Sequence, residues 1–167
     1  IFTNLTQDHL DFHGTMESYA EAKTLLFTQC DKGIVNIDDK WAPLMIERAK
    51  CPITTISVDS TEGDLIARDL RTAPDSVKFV ALHGEDGLAR VFLPIPGKFS
   101  AYNALCVIAT GICLGLPMDK CVASLRTAHG VKGRVEVVPT DGDYTILIDY
   151  AHTPDALENV LRAMKEV

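Results

Sequence analysis

The sequence has no run of basic residues, and its formal net charge is −7 at pH 7. A general nucleic-acid surface is therefore not expected, although a few placed cations can still form a local anion site. It also lacks a long apolar run. The most apolar stretch, 104–116, is too short to span a bilayer and is interrupted by Gly111 and Gly115. No secretory leader is evident, so no membrane insertion is expected. The five cysteines make no CxxC pair and are odd in number. Most sit among apolar neighbours, where cysteine acts as a small hydrophobe, and this points to a reducing cytoplasm rather than a disulfide scaffold. There is no internal repeat, no low-complexity tract and no initiating methionine. The first residues read like the end of a strand and the last stop inside a helical pattern, so both ends are expected to be cut from a longer chain.

With apolar residues at 47%, one domain or slightly more can build a sizeable core. A strand is expected to end near Leu5, followed by an Asp- and His-rich loop and a helix over 16–30. A strand over 34–37, a helix to about Lys50 and a β-branched strand over 54–58 come next. The period then shortens, with strands at 65–70, 77–82 and 89–93, the last two joined by the turn at 84–87. A helix over 100–114 is apolar nearly all round and should be buried. A second runs over 118–128, and 130–133 reads as a linker. Beyond it lie strands over 134–138 and 144–150 and a helix that begins at Thr153-Pro154, with Thr as N-cap and Pro at the first position. This last unit has no obvious partner layer and reads as the beginning of a second domain.

Three segments can carry chemistry. The first is the loop 4–14 with the helix behind it. Asp8, His9, Asp11 and His13 offer oxygen and imidazole donors between a strand and a helix, where open α/β sheets bind ligands. Such a set suits Mg²⁺ or Mn²⁺ better than zinc; the alternative is a polar loop that caps the next helix. Lys23 falls within the apolar stripe Met16, Tyr19, Ala20, Leu26, Phe27 and Cys30, with Glu17, Glu21, Thr24 and Thr28 opposite, so helical spacing turns it inward. Burial disfavours the ammonium form, and a neutral amine can add carbon dioxide to become a carbamate, a carboxylate on a long arm. The alternative is a lysine that snorkels to the helix edge.

The second segment is 96–104. Asn103 lies in the first turns of an apolar helix, and its amide matches the donor and acceptor of an adenine edge; local capping is the competing reading. Gly97-Lys98 is not a P-loop, since the required upstream glycine and following Ser or Thr are absent. The third is Gly133-Arg134-Val135-Glu136 with Asp149-Tyr150-Ala151-His152-Thr153-Pro154-Asp155. A carboxylate at the end of a strand, Asp149, suits ribose hydroxyls, and Arg134 suits a phosphate or ribose. An interdomain salt bridge is the alternative.

In this order the motifs resemble one family. Thr3-Asn4-Leu5 with 8–14, Tyr19 with Ala22-Lys23, Asn36 with Asp38-Asp39, Pro96-Gly97 with Phe99 and Asn103, and the two motifs of the third segment together resemble the Mur ligases, most closely the MurE type. The resemblance covers essentially the whole chain. It implies an α/β fold: part of a Mur-ligase central domain, with a parallel sheet, helices and a small antiparallel portion, over 1–133. The first β-α unit of a Rossmann-like C-terminal domain would follow over 134–167. It implies an ATP-dependent enzyme of peptidoglycan synthesis that joins an amino acid to UDP-MurNAc-dipeptide through an acyl phosphate. By the same resemblance Lys23, as a carbamate, and His9 hold Mg²⁺, and Asn103 contacts adenine. Arg134 and Asp149 meet the ribose and phosphate region, while Asp8, Asp11, His13 and His152 lie beside these groups. The family's P-loop and most of its other two domains have no counterpart in these residues, so the segment alone is expected to be inactive. Other Mur-like ligases, of the cyanophycin synthetase or folylpolyglutamate synthase type, and a non-catalytic nucleotide-binding module are the competing readings.

Overall fold

The computed structural model describes residues 1–7, 10–84 and 87–165. Its main sheet runs in the order β1-β2-β3-β4-β5. The strands are β1 (Gly33–Asn36), β2 (Ile53–Ser57), β3 (Leu65–Ala73), β4 (Ser76–His83) and β5 (Gly87–Leu93). The first three are mutually parallel and the last two close as antiparallel hairpins. The N-terminal segment adds only a parallel bridge, Phe2 to Val35, in place of the expected strand to Leu5.

Each strand type follows from its surroundings. All four residues of β1 are buried, as a strand covered on both faces requires. A helix bridges β1 to β2, yet only seven residues join β2 to β3 (58–64). A parallel return normally needs a longer crossover. Here Ile56 pairs with Leu65 and Ser57 with Ile66, so β3 starts beside the end of β2 and runs on past it. Asp64 fastens that corner by accepting from the Thr55 amide and hydroxyl, each at 2.7 Å. A bulge interrupts β3 between Arg68 and Arg71, where Asp69 takes φ +53°.

Two clusters fill the interior. On one side α1 (Leu10–His13), α2 (Met16–Thr24), the 3₁₀ turn Leu25–Thr28 and α3 (Ala42–Arg48) bury Tyr19, Ala20, Phe27, Val35 and Met45. On the other, α4 (Lys98–Cys113) lies against the sheet, and α5 (Met118–Leu125) packs beside it on β5. The uniformly apolar α4 is buried, as its composition requires, with Leu105 and Ile108 fully enclosed. The C-terminal part is a two-stranded sheet, β6 (Glu136–Val138) with β7 (Ile146–Ile148), and α6 (Pro154–Lys165). Thr153 caps α6 as expected, its Oγ1 accepting from Ala156 N at 3.2 Å. The strand expected from 134 starts only at Glu136, because Val135 has φ +45° and cannot pair as a strand residue. Leu157 and Leu161 of the α6 stripe remain about half exposed.

Helices α4 and α5 approach so closely that a methyl group on Gly111 would overlap the Cys121 sulfur. Gly111→Ala is therefore expected to destabilise the fold by about 1–3 kcal/mol in urea titrations, despite alanine's better helix propensity. In the Cys121→Ala background the same change should cost at least about 1 kcal/mol less.

Candidate functional site

The parallel strands end at one edge of the sheet, and a cleft of about 470 Å³ opens there. Asn36, Asp38 and Asp39 border it from the end of β1, Asp59 from the end of β2, and Lys98, Tyr102 and Asn103 from the first turns of α4. Asn4 and Thr6 come from the N-terminal segment, and Asn159 and Arg162 of α6 face them. This is the edge where open α/β sheets bind ligands.

Asp38 organises the cleft. Its Oδ1 accepts from the Ser57 hydroxyl at 2.5 Å, and its Oδ2 accepts from Val58 N at 2.8 Å and Asp59 N at 3.1 Å. The Tyr102 hydroxyl lies 3.0 Å from an oxygen of both Asp38 and Asp59, its one proton shared between two carboxylates. Burial by itself pushes the Asp38 carboxyl up, but these donors outweigh it and hold the group below the usual carboxylate range. Burial and the two neighbouring carboxylates push the Tyr102 phenol far up, so it remains a donor. Lys98 Nζ balances Asp59 at 2.5 Å. Asn36, buried at 6% exposure, donates to Thr3 O at 2.8 Å and accepts from Asp38 N at 3.1 Å, which ties the N-terminal segment to β1. Asp39 accepts from Leu5 N at 3.0 Å and Trp41 N at 2.8 Å. Gly97, at φ +86°, swings the chain into α4, and a side chain there would strike the Phe99 ring.

Lys23 is exposed, contrary to the inward placement read from helical spacing. The buried line of α2 is Tyr19, Ala20 and Thr24, and the change to 3₁₀ winding at Leu25 carries Phe27 inward and leaves Leu26 half exposed. Position 23 thus lies at the edge of the stripe, and its long stem reaches over the Tyr19 ring, with Nζ 5.1 Å from the centroid. His13 stacks on the same ring at 4.4 Å and 16°. Exposed Lys23 and partly buried His13 thus meet over the buried Tyr19 ring, with Asp11 exposed close by in sequence. Asp8 and His9 lie outside the described residues.

Arg134, Asp149 and His152 gather elsewhere, at the linker, and do not border the cleft. Both Asp149 oxygens are engaged, one by Val135 N at 2.8 Å and the other by Ala151 N at 2.7 Å. Arg134 lies 5.3 Å over the Tyr150 ring. His152 Nδ1 is 3.0 Å from Tyr150 O. Among the described residues neither Arg134 nor Asp149 forms an ion pair, so the expected alternative of an interdomain salt bridge is not what holds this linker.

Comparison with known proteins places the whole arrangement. The Mur ligase middle domain matches residues 1–111, and the Mur ligase glutamate ligase domain matches residues 133–167. The chain belongs to the Mur ligase family. It is 44% identical over 170 residues to a UDP-N-acetylmuramoyl-L-alanyl-D-glutamate–2,6-diaminopimelate ligase of Clostridioides difficile (strain 630), an alignment that covers 99% of the chain and 35% of that relative. A solved structure of a protein of the same name superposes with TM-score 0.81 at 33% identity, covering 98% of the chain and 34% of its own. MurF from Acinetobacter baumannii shares the fold, with TM-score 0.87 at 24% identity over 99% of the chain and 36% of its own. The chain thus spans about a third of the length of the relatives it matches.

In this Mur ligase segment the aspartates of the cleft are already committed to the main chain, Ser57, Tyr102 and Lys98. Among the described residues no three His, Cys, Asp or Glu side chains converge as a cation would require, so these donors alone do not fit Mg²⁺. Sequence reading missed Asp59 and undervalued Asp38, Lys98 and Tyr102. The available signal was positional: Asp38 and Asp59 both stand just past the ends of parallel strands.

Asp38→Asn is expected to cost about 1–2 kcal/mol of stability at pH 7, measured by denaturant titration. Because the folded-state pKa is depressed, the wild-type advantage is complete above the ordinary carboxylate value and is lost as pH falls through the lower folded value. The two stability curves should therefore converge below about pH 4.

Proposed function

We propose that these residues are part of an ATP-dependent amide-forming ligase that adds diaminopimelate to UDP-N-acetylmuramoyl-L-alanyl-D-glutamate in peptidoglycan synthesis. The observation that carries this reading is the identity along nearly the whole chain to a ligase of that name. The strand-end cleft, with its carboxylates, amides and one lysine, agrees with a polar nucleotide ligand. In this reading 1–133 is the later part of the ATP-binding middle domain and 134–167 begins the C-terminal domain. The work takes place in the cytoplasm, where ATP and the nucleotide sugar are available.

The reaction runs in two steps. A carboxylate oxygen of the dipeptide attacks the γ-phosphorus of ATP, ADP departs, and an acyl phosphate forms. The amine of diaminopimelate then attacks the acyl carbon, and the tetrahedral intermediate expels phosphate as the nitrogen loses its proton. The protein's part is positioning and charge neutralisation. Asn103 is assigned to the adenine edge, since its exposed amide projects from the rigid start of α4. Arg134 and Asp149 are assigned to the ribose and phosphate region. Mg²⁺ is assigned to Lys23, as its carbamate, and His9, with Asp8, Asp11 and His13 beside them in sequence, while His152 belongs with Arg134 and Asp149. A carbamate on Lys23 would add the anionic oxygen ligand that the committed aspartates do not offer.

The test is phosphate release by the full-length protein. Release should require ATP, UDP-N-acetylmuramoyl-L-alanyl-D-glutamate and diaminopimelate together; release indifferent to the last two would overturn the proposal. Lys23→Ala should lower kcat by about 100-fold or more without loss of fold. Asn103→Ala should raise the KM for ATP by about 10-fold with a smaller effect on kcat.

A further inference from the structure

Cys30 and Cys51 are 21 positions apart and stand in no recognisable motif, yet their sulfurs lie 3.5 Å from each other. Both are partly exposed free thiols. Cys30 follows the 3₁₀ turn before β1, and Cys51 follows α3 just before β2. Two backbone hydrogen bonds flank the pair: Lys50 N donates to Phe27 O at 3.0 Å, and Gly33 N donates to Pro52 O at 2.9 Å. The main chain therefore holds the two connections side by side whatever the thiols do. The sulfur gap exceeds a disulfide bond by about 1.5 Å, within reach of side-chain rotation.

We propose that Cys30 and Cys51 are a modification site: a dithiol that closes reversibly to a disulfide in exchange with a low-molecular-weight disulfide. One cysteine, as thiolate, attacks a sulfur of the small disulfide and releases one small thiol. The other cysteine, as thiolate, attacks the sulfur of the first and releases the second small thiol. Two electrons pass from the cysteine pair to the small disulfide, and the two cysteine protons end on the two small thiols. The cross-link joins the connections at the N-terminal ends of β1 and β2, whereas the cleft lies at their C-terminal ends, so oxidation leaves the cleft residues in place. Cys106 and Cys121 are buried and lie outside this exchange.

The test treats the folded full-length protein with excess oxidised glutathione, alkylates the remaining thiols and maps peptides by mass spectrometry. A Cys30–Cys51 cross-linked peptide is expected, at least about 10-fold more abundant than any other pairing of these five cysteines and abolished by dithiothreitol. Cys30→Ser should lose it and carry glutathione on Cys51 instead, which shows that the partner remains reachable. The proposal is overturned if both cysteines stay free thiols, if both carry glutathione without a cross-link, or if Cys51 links equally to another cysteine.

Discussion

The Asp38 carboxylate ties the ends of two paired strands, β1 and β2, to the start of the helix that packs on them, α4. It takes the hydroxyl of Ser57 and two amides just beyond β2, and it takes the phenol of Tyr102 from α4, while its own amide is held by Asn36. An ionised, partly buried group is costly unless several donors surround it. Here four surround it, and they come from two elements other than its own. The same charge that would be a penalty in an apolar edge thus sets the spacing between the strand ends and the start of α4. Removing any one donor leaves the carboxylate under-solvated, so the corner acts as a unit rather than as separable contacts.

That corner also determines what the cleft offers to a ligand. The obvious acidic residues are already engaged, and Tyr102 and Lys98 are turned toward them. Among the described residues Asn103, one residue beyond Tyr102, has no such partner, and it stands exposed on the same rigid turn. Under the proposed function the aspartates are scaffold and the amide is the reader, a division of labour that composition alone would reverse.

Much of the fold was legible because the patterns were strong. The β-branched strand at β2, the Gly-containing hairpin of β4 and β5, the all-round apolar α4 and the Thr-Pro start of α6 each have one dominant physical signal. Lys23 was not legible in this way. A stripe drawn over 16–30 assumes one continuous helix, and the change of winding at Leu25 shifts the phase; Thr24 is buried at 4% exposure where polarity placed it outside. A threonine that bonds back to Glu21 O satisfies its own hydroxyl and can be buried. The meeting of Asp38 with Tyr102, 64 positions away, is a tertiary fact with no local trace. The linker was half legible: its residues were named, but their mutual engagement was not.

The linker shows how local strain and function can be reconciled. Val135 is β-branched, buried and at φ +45°, a conformation that costs about 1–3 kcal/mol. It persists because the surrounding amides are all accounted for. Gly133 N bonds to Glu136 Oε2 at 2.8 Å, Arg134 N to Val131 O at 3.0 Å and Val135 N to Asp149 at 2.8 Å. Three consecutive amides are therefore unavailable to a phosphate, although such a turn would otherwise make an anion nest. What remains outward is the guanidinium of Arg134, supported on Tyr150 rather than neutralised by a carboxylate. An anion at this junction would meet the side chains of Arg134 and exposed Lys132 rather than these three amides.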